Sequence, residues 1–147
     1  MADFYSSEAP ARTTKPTVAR SANAVAAKLR RTVSSFVCDA TNCGAAAAGS
    51  RLMLPRVPKG ARGIKHRITV SATLGTSTLA LGITGTTAKY AAAATYTTAN
   101  SPVTIAKAAN LAAELAADED QFLTTAVAAL PNDGTIIVVE TEYTLQN

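Results

Sequence analysis

Residues Pro58–Ile83 read PKGARGIKHRITVSATLGTSTLALGI, and this stretch decides the class of the chain. Ile64, His66, Ile68, Val70 and Ala72 alternate with Lys65, Arg67, Thr69 and Ser71. Successive side chains of a strand point to opposite faces, so the apolar set meets a core and the polar set meets water or a partner. Residues 74 to 77 (Leu-Gly-Thr-Ser) supply a turn. Beyond it, Leu79, Leu81 and Ile83 alternate with Thr78, Ala80 and Gly82. The two runs predict a β-hairpin with one buried face, in a mainly β, antiparallel, sandwich-like domain.

Downstream, residues Thr84–Asn100 are rich in Thr, Ala and Tyr, with Tyr90 and Tyr96 packing at the ends. Ser101 and Pro102 have the form of an N-cap and a first helical residue. Ile105, Ala108, Ala109, Ala112 and Leu115 recur at helical spacing and predict a short helix within Val103–Ala117. Asp118, Glu119 and Asp120 form an acidic knot, expected as a solvated face or a weak cation site. Phe122–Leu130 and Thr135–Leu145 read as strands around the turn Pro131–Gly134, a second expected hairpin. Ile136, Val138, Glu140 and Glu142 share one face of the last strand, and Ile137, Val139, Thr141, Tyr143 and Leu145 the other. Its first half is apolar on both faces, which predicts a central, buried strand.

Upstream, Arg51–Val57 reads as a short strand ending at Pro55, before the turn Pro58-Lys59-Gly60. Asp39–Ser50 is a loop, and Arg30–Asp39 is a strand favoured by its β-branched residues and Phe36. Asn23–Arg31 is alanine-rich and suggests a short helix carrying Lys28, Arg30 and Arg31. Residues 1–22, with Pro10 and Pro16 and no apolar period, read as an extended arm. It is either a clamp laid across a neighbour or a disordered tail, and Phe4 and Tyr5 give it something to anchor with. The expected organisation is an arm over 1–22 and a single sandwich domain over 23–147.

The chain has 147 residues, 48% hydrophobic, but much of that is alanine, aromatics are 5% and tryptophan is absent. Large core side chains are scarce, so oligomerisation or docking on a scaffold would help to bury surface. The charge is polarised. Residues 1–67 carry 12 Lys/Arg and 3 Asp/Glu, a net +9, whereas residues 68–147 carry 2 and 7, a net −5. A basic half suits nucleic acid or an acidic protein surface, including the acidic half of a neighbouring copy. Protein is favoured, because the cations are dispersed over arm, loop and strand, and only Phe4, Tyr5 and Phe36 offer rings near them. Met1–Arg20 has no apolar signal region and no run is long enough to cross a bilayer, so no membrane partner is expected and synthesis is expected in a cytoplasm.

Catalytic groups are few. His66 is the sole histidine, and it sits in the inward register of a strand, as a core or strand-edge residue does. Nucleophilic catalysis wants a base beside the nucleophile. No phosphate loop or dinucleotide fingerprint is present, since Gly82 and Gly85 follow no strand-to-helix pattern. Cys38 and Cys43 are two reduced thiols beside a turn, a disulfide closing a small loop, or two thiolates for a metal, although a structural zinc wants four ligands. The reading is of a non-enzyme with no cofactor and no metal, which acts through its surface.

Three stretches carry a family resemblance. Leu52–Arg62 follows Leu-x-Leu-Pro-x-x-Pro-Lys-Gly-Ala-Arg, Leu74–Gly82 follows Leu-Gly-x-Ser/Thr-Thr-Leu-x-Leu-Gly, and Ala129–Tyr143 follows Ala-Leu-Pro-x-x-Gly-Thr-Ile-x-Val-Val-Glu-x-x-Tyr. Together they resemble small virion proteins of tailed bacteriophages, over roughly residues 50–145. The resemblance implies a capsid decoration (cement) protein with a β-sandwich or jelly-roll body. It would bind the outer surface of the head, bridge major capsid subunits, form homo-oligomers and reach neighbours with its arm. Residues Ser101–Asp120 depart from the pattern, being longer and more helix-prone. The residues expected to meet an acidic capsid surface are Arg12, Lys15, Arg20, Arg51, Arg56, Lys59, Arg62, Lys65 and Arg67, with Phe4 and Tyr5 as anchors. The competing readings are another virion component, such as a head-fibre or host-binding tail protein, and a basic nucleic-acid-binding module.

Overall fold

The computed structural model of the chain describes residues 3–5 and 28–145. Its strands are β1 (Asp3–Tyr5), β2 (Lys28–Cys38), β3 (Arg51–Met53), β4 (Ala61–Val70), β5 (Thr78–Ile83), β6 (Thr86–Thr95), β7 (Val103–Ile105), β8 (Gln121–Ala126) and β9 (Thr135–Leu145), with one helix, α1 (Ala108–Ala112). They form a five-stranded sheet in the order β1-β3-β8-β5-β6 and a four-stranded sheet in the order β2-β9-β4-β7. Every pairing is antiparallel except β1 with β3. The expected class, a mainly β antiparallel sandwich, is the class observed.

Period two sets the inner faces as the sequence predicts. Ile64, His66, Ile68 and Val70 of β4 are buried, and Lys65 and Arg67 are exposed. Leu79 and Leu81 of β5, Leu123 of β8, and Ile137, Val139 and Tyr143 of β9 meet them in one core. Each such side chain contributes about 1.5–3 kcal/mol when fully buried.

The expected hairpins are not the pairings observed. β4 and β5 lie in opposite sheets, and residues 71–77 carry the chain across the sandwich. The backbone of β4 is satisfied by β9 on one side and β7 on the other, so no edge is left for β5. Leu74 drops into the core midway through the crossing, and its N–H donates to the Tyr96 carbonyl at 2.9 Å. β8 and β9 likewise lie in opposite sheets. Between them Leu130 is buried and bonds with Ala46 and Ala45, and Asp133 accepts from the Thr135 N–H at 2.9 Å before β9 begins. Alternation reports which residues face the core, not which sheet they face it from. β5 and β6 do form a hairpin, closed at Gly85, where φ is 84°.

The helix over Val103–Ala117 is overturned in part. Val103–Ile105 is β7, seated on the open edge of β4 opposite Ile68 and His66, and Pro102 precedes a strand instead of starting a helix. Only Ala108–Ala112 is helical, it has no side-chain cap, and it buries no residue. Lys28–Arg31 belongs to β2 and not to the helix expected over Asn23–Arg31, and the rest of that segment lies outside the described residues. β9 is central in its sheet, but only one face is closed, because Ile136 stays 38% exposed on the outer side. Cys38 and Cys43 are free buried thiols with their Sγ atoms 3.9 Å apart. Contact with Cys43 and burial push the Cys38 thiol up, which keeps it protonated. Among the described residues no helix is long and apolar enough to cross a membrane.

The two faces of the last strands predict unequal costs of truncation. Leu123→Ala, at a fully buried position, should lose about 2–5 kcal/mol of unfolding free energy in urea. Ile136→Ala, on the half-open outer face, should lose under about 1 kcal/mol. Equal losses would contradict the assignment of faces.

Candidate binding face

The outer face of the four-stranded sheet gathers charge at one end. Antiparallel register places Glu142 between Arg31 of β2 and Lys65 of β4, and Glu140 between Val33 and Arg67. Glu140 ion-pairs with Arg31 and lies 3.9 Å from Arg67. Its side chain is 20% exposed, whereas both arginines are 51% exposed. The carboxylate is sunk and the guanidinium groups stand above it, so the cations are what an approaching molecule meets. Each exposed pair is worth only about 0–1 kcal/mol to folding. Beside this cluster the same face is apolar: Leu29 is 67% and Val33 43% exposed, with Val37 and Val138 next to Ile136.

A second set of cations is engaged by the segment that leads into β8. Arg56 holds Asp120 through two bonds of 2.9 Å, and Asp118 lies 3.9 Å from Arg56. Asp118 also accepts from the Lys59 N–H at 2.8 Å, and Arg62 pairs with Glu114, its Nε at 3.0 Å. The acidic knot is therefore no bare solvated face. It meets the turn Pro58–Gly60, where Val57 and Glu119 bridge backbone to backbone. Arg51 lies apart, on the five-stranded sheet, its guanidinium 4.6 Å from the centre of the Phe122 ring.

Beneath these charges runs a polar link across the core. Glu119, whose side chain is 12% exposed, accepts from Lys89 and from the Tyr90 hydroxyl. The Tyr90 ring meets His66 edge-on at 4.7 Å. His66 Nε2 donates to Gln121 Oε1 at 2.8 Å, and so joins β4 in one sheet to β8 in the other. Burial pushes His66 down from the usual value near 6.5 to about 4, against the smaller opposing pull of Gln121 and Glu119. The imidazole is neutral, structural, and out of reach of a substrate. Among the described residues, no group of three His, Cys, Asp or Glu is placed to hold a metal.

The sequence-derived candidates thus fall into separate places. Lys65 and Arg67 share the outer face, Arg56, Lys59 and Arg62 line the acidic segment, and Arg51 and the β1 residues Phe4 and Tyr5 belong to the other sheet. Arg12, Lys15 and Arg20 lie outside the described residues. Arg31, Leu29, Val33 and Ile136 were not among the candidates. Their signal was available, since Leu29, Arg31 and Val33 alternate on one side of a strand, but nothing in the order of residues said that side faced outward beside Glu140.

No protein-family model and no curated protein sequence matches the chain. Two solved structures do. A chain in "Capsid of Ralstonia phage GP4" superposes with a TM-score of 0.65 and 18% identity, over 99% of both chains. A chain in "Cyanophage Pam1 capsid asymmetric unit" superposes with a TM-score of 0.66 and 16% identity, over 89% of this chain and 94% of that one. The likeness is one of fold. The full mutual coverage makes the Ralstonia phage chain a protein of nearly the same length.

Two predictions follow from the polar link. A histidine held neutral binds its proton more weakly in the folded than in the unfolded chain. Stability is therefore lost as pH falls from about 6.5 towards 4, by up to about 3 kcal/mol. Urea midpoints at pH 7 and pH 4.5 should show the loss, and His66→Gln should flatten the profile in that window. Glu119→Ala leaves Lys89 and Tyr90 without their acceptor and should cost about 2 kcal/mol, against under about 1 kcal/mol for the more exposed pairing lost in Glu140→Ala.

Proposed function

We propose that this chain is a structural protein of a bacteriophage head, a decoration or cement protein that binds the outer surface of the shell and bridges major capsid subunits. One observation carries the reading: two solved chains with this fold come from structures titled as phage capsids, and one has nearly this chain's length. The outer face of the four-stranded sheet suits adhesion to a large protein surface. Its raised cations steer an acidic partner, and Leu29, Val33 and Ile136 supply apolar contact. Arg12, Lys15 and Arg20, with Phe4 and Tyr5, add an arm contact in the same reading. Arg56 and Arg62 are already paired with carboxylates, which leaves fewer cations for a phosphate backbone and favours protein over nucleic acid as the partner.

Co-sedimentation with heads that lack the protein tests this. Saturable binding at a fixed number of copies per capsomer is expected, weakening as salt rises. Lys65→Glu with Arg67→Glu should weaken it about tenfold or more, as loss of roughly 1.4 kcal/mol does. Removal of residues 1–20 should weaken it as well, and unchanged binding would remove the arm from the contact. Absence of saturable binding by the full chain overturns the proposal, and binding to host cells instead would favour a fibre or tail component.

A further inference from the structure

We infer that Cys38 and Cys43 are a redox couple, which closes to a disulfide when a small-molecule disulfide reaches it and opens again when thiols are in excess. Their Sγ atoms lie 3.9 Å apart, at 0% and 2% exposure. Cys38 ends β2, and Cys43 returns to it across residues 39–42. That turn is held by groups other than sulfur. The Asp39 carboxylate accepts from the N–H groups of Thr41 at 3.0 Å and Asn42 at 2.8 Å, and the Asp39 carbonyl accepts from the Gly44 N–H at 2.8 Å. The Val37 carbonyl accepts from the Cys43 N–H at 3.3 Å. At Gly44 a Cβ would stand 2.4 Å from the Asp39 carbonyl oxygen, so glycine is what lets the chain come back this close.

The sulfurs are therefore gathered before any bond forms. A disulfide is about 2.0 Å long, so each side chain has to move by only about 1 Å, a rotation that leaves the turn as it is. Contact with Cys43, and then burial, push the Cys38 thiol up, whereas the same contact lowers Cys43, so Cys43 is the thiol that ionises. Its thiolate attacks one sulfur of the incoming disulfide, such as oxidised glutathione, and one glutathione thiolate leaves. The Cys38 sulfur then loses its proton, attacks Cys43 in the mixed disulfide and expels the second. Two protein thiols are oxidised, one small disulfide is reduced, and the two protons end on the released thiols. Opening of the loop over residues 39–50, where 40–42, 47 and 48 are exposed, admits the oxidant. The closed form braces the end of β2 and the loop that carries Ala45 and Ala46 to Leu130. The inference does not depend on the head reading.

Equilibration of the full chain in glutathione buffers tests it, both in native buffer and in urea above the unfolding midpoint. Each equilibrium is approached from the reduced and from the oxidised side, so slow access to buried thiols does not bias it. Acid quenching, alkylation and mass spectrometry then count the free thiols and locate the bond. The native chain should close within itself and carry no glutathione. Its closing constant should exceed that in urea about tenfold or more, since the turn has already brought the sulfurs together. Asp39→Ala releases the N–H groups of Thr41 and Asn42, and should lower the native constant about threefold or more while leaving the urea constant unchanged. A native constant equal to or below the urea constant overturns the proposal, because the fold then holds the sulfurs apart. A native chain that stops at a glutathione adduct overturns it too. An unchanged constant in Asp39→Ala overturns the role given to the turn.

Discussion

A carboxylate that is only 12% exposed must find compensation, and Glu119 finds it in three directions. Lys89 and the Tyr90 hydroxyl take its side chain, and Val57 takes its backbone. Lys89 and Tyr90 stand in the first half of β6 and Val57 before the turn into β4, so satisfying one group fixes β6, the turn before β4 and the entrance to β8 at once. An unpaired charge at that depth would cost more than any single surface pair returns. Gln121 follows two residues later and extends the same line of polar atoms to His66, so the two sheets are joined by polar as well as apolar contact. The apolar core supplies most of the folding energy, and this link specifies how the sheets lie on each other.

The polarised charge of the chain has an internal use. Cations from the first half meet carboxylates from the second: Arg56 with Asp118 and Asp120, Arg62 with Glu114, and Arg31 and Arg67 with Glu140. The two halves are brought together because β2 and β4, which are basic, flank β9, which is acidic on its outer face. What remains for a partner is set by depth, since sunken carboxylates leave raised guanidinium groups. The net charge of the halves overstates how much positive surface is free.

The inner faces of β4 and β5 were legible because a strand's side chains alternate whatever its partner is, and the start of β9 follows from the turn at Pro131–Gly134, whereas the apolar residues on both sides of its first half hid which face is closed. The pairings were not legible, because β9 takes partners from the far end of the chain and β5 takes one 40 residues downstream. The Ala-rich stretch after Ser101 has good helix propensity, yet β4 had an open edge and Val103 and Ile105 are β-branched, so tertiary pairing overrode the local preference. The acidic knot was visible as a cluster. Its partners were not, since Arg56 and Lys59 precede it by about 60 residues. Of the candidate cations, sequence order placed Lys65 and Arg67 on an outward face, and could not place Arg31 beside them.

β9 is the last strand in the chain order and the middle one in its sheet, between β2 and β4. Until β9 has been made, β2 and β4 have no neighbour between them, and β4 holds only the three residues of β7. Of the described strands only β5 and β6 are neighbours in both sequence and space, so almost every ladder closes a long loop. A nascent chain must then keep eleven residues of β2 and ten of β4 unpaired on one side through most of its synthesis. The charges on Arg31, Lys65 and Arg67 fall on those waiting strands, where like-signed side chains keep two incomplete copies from pairing edge to edge. The same cations that face outward in the finished protein protect the unfinished one.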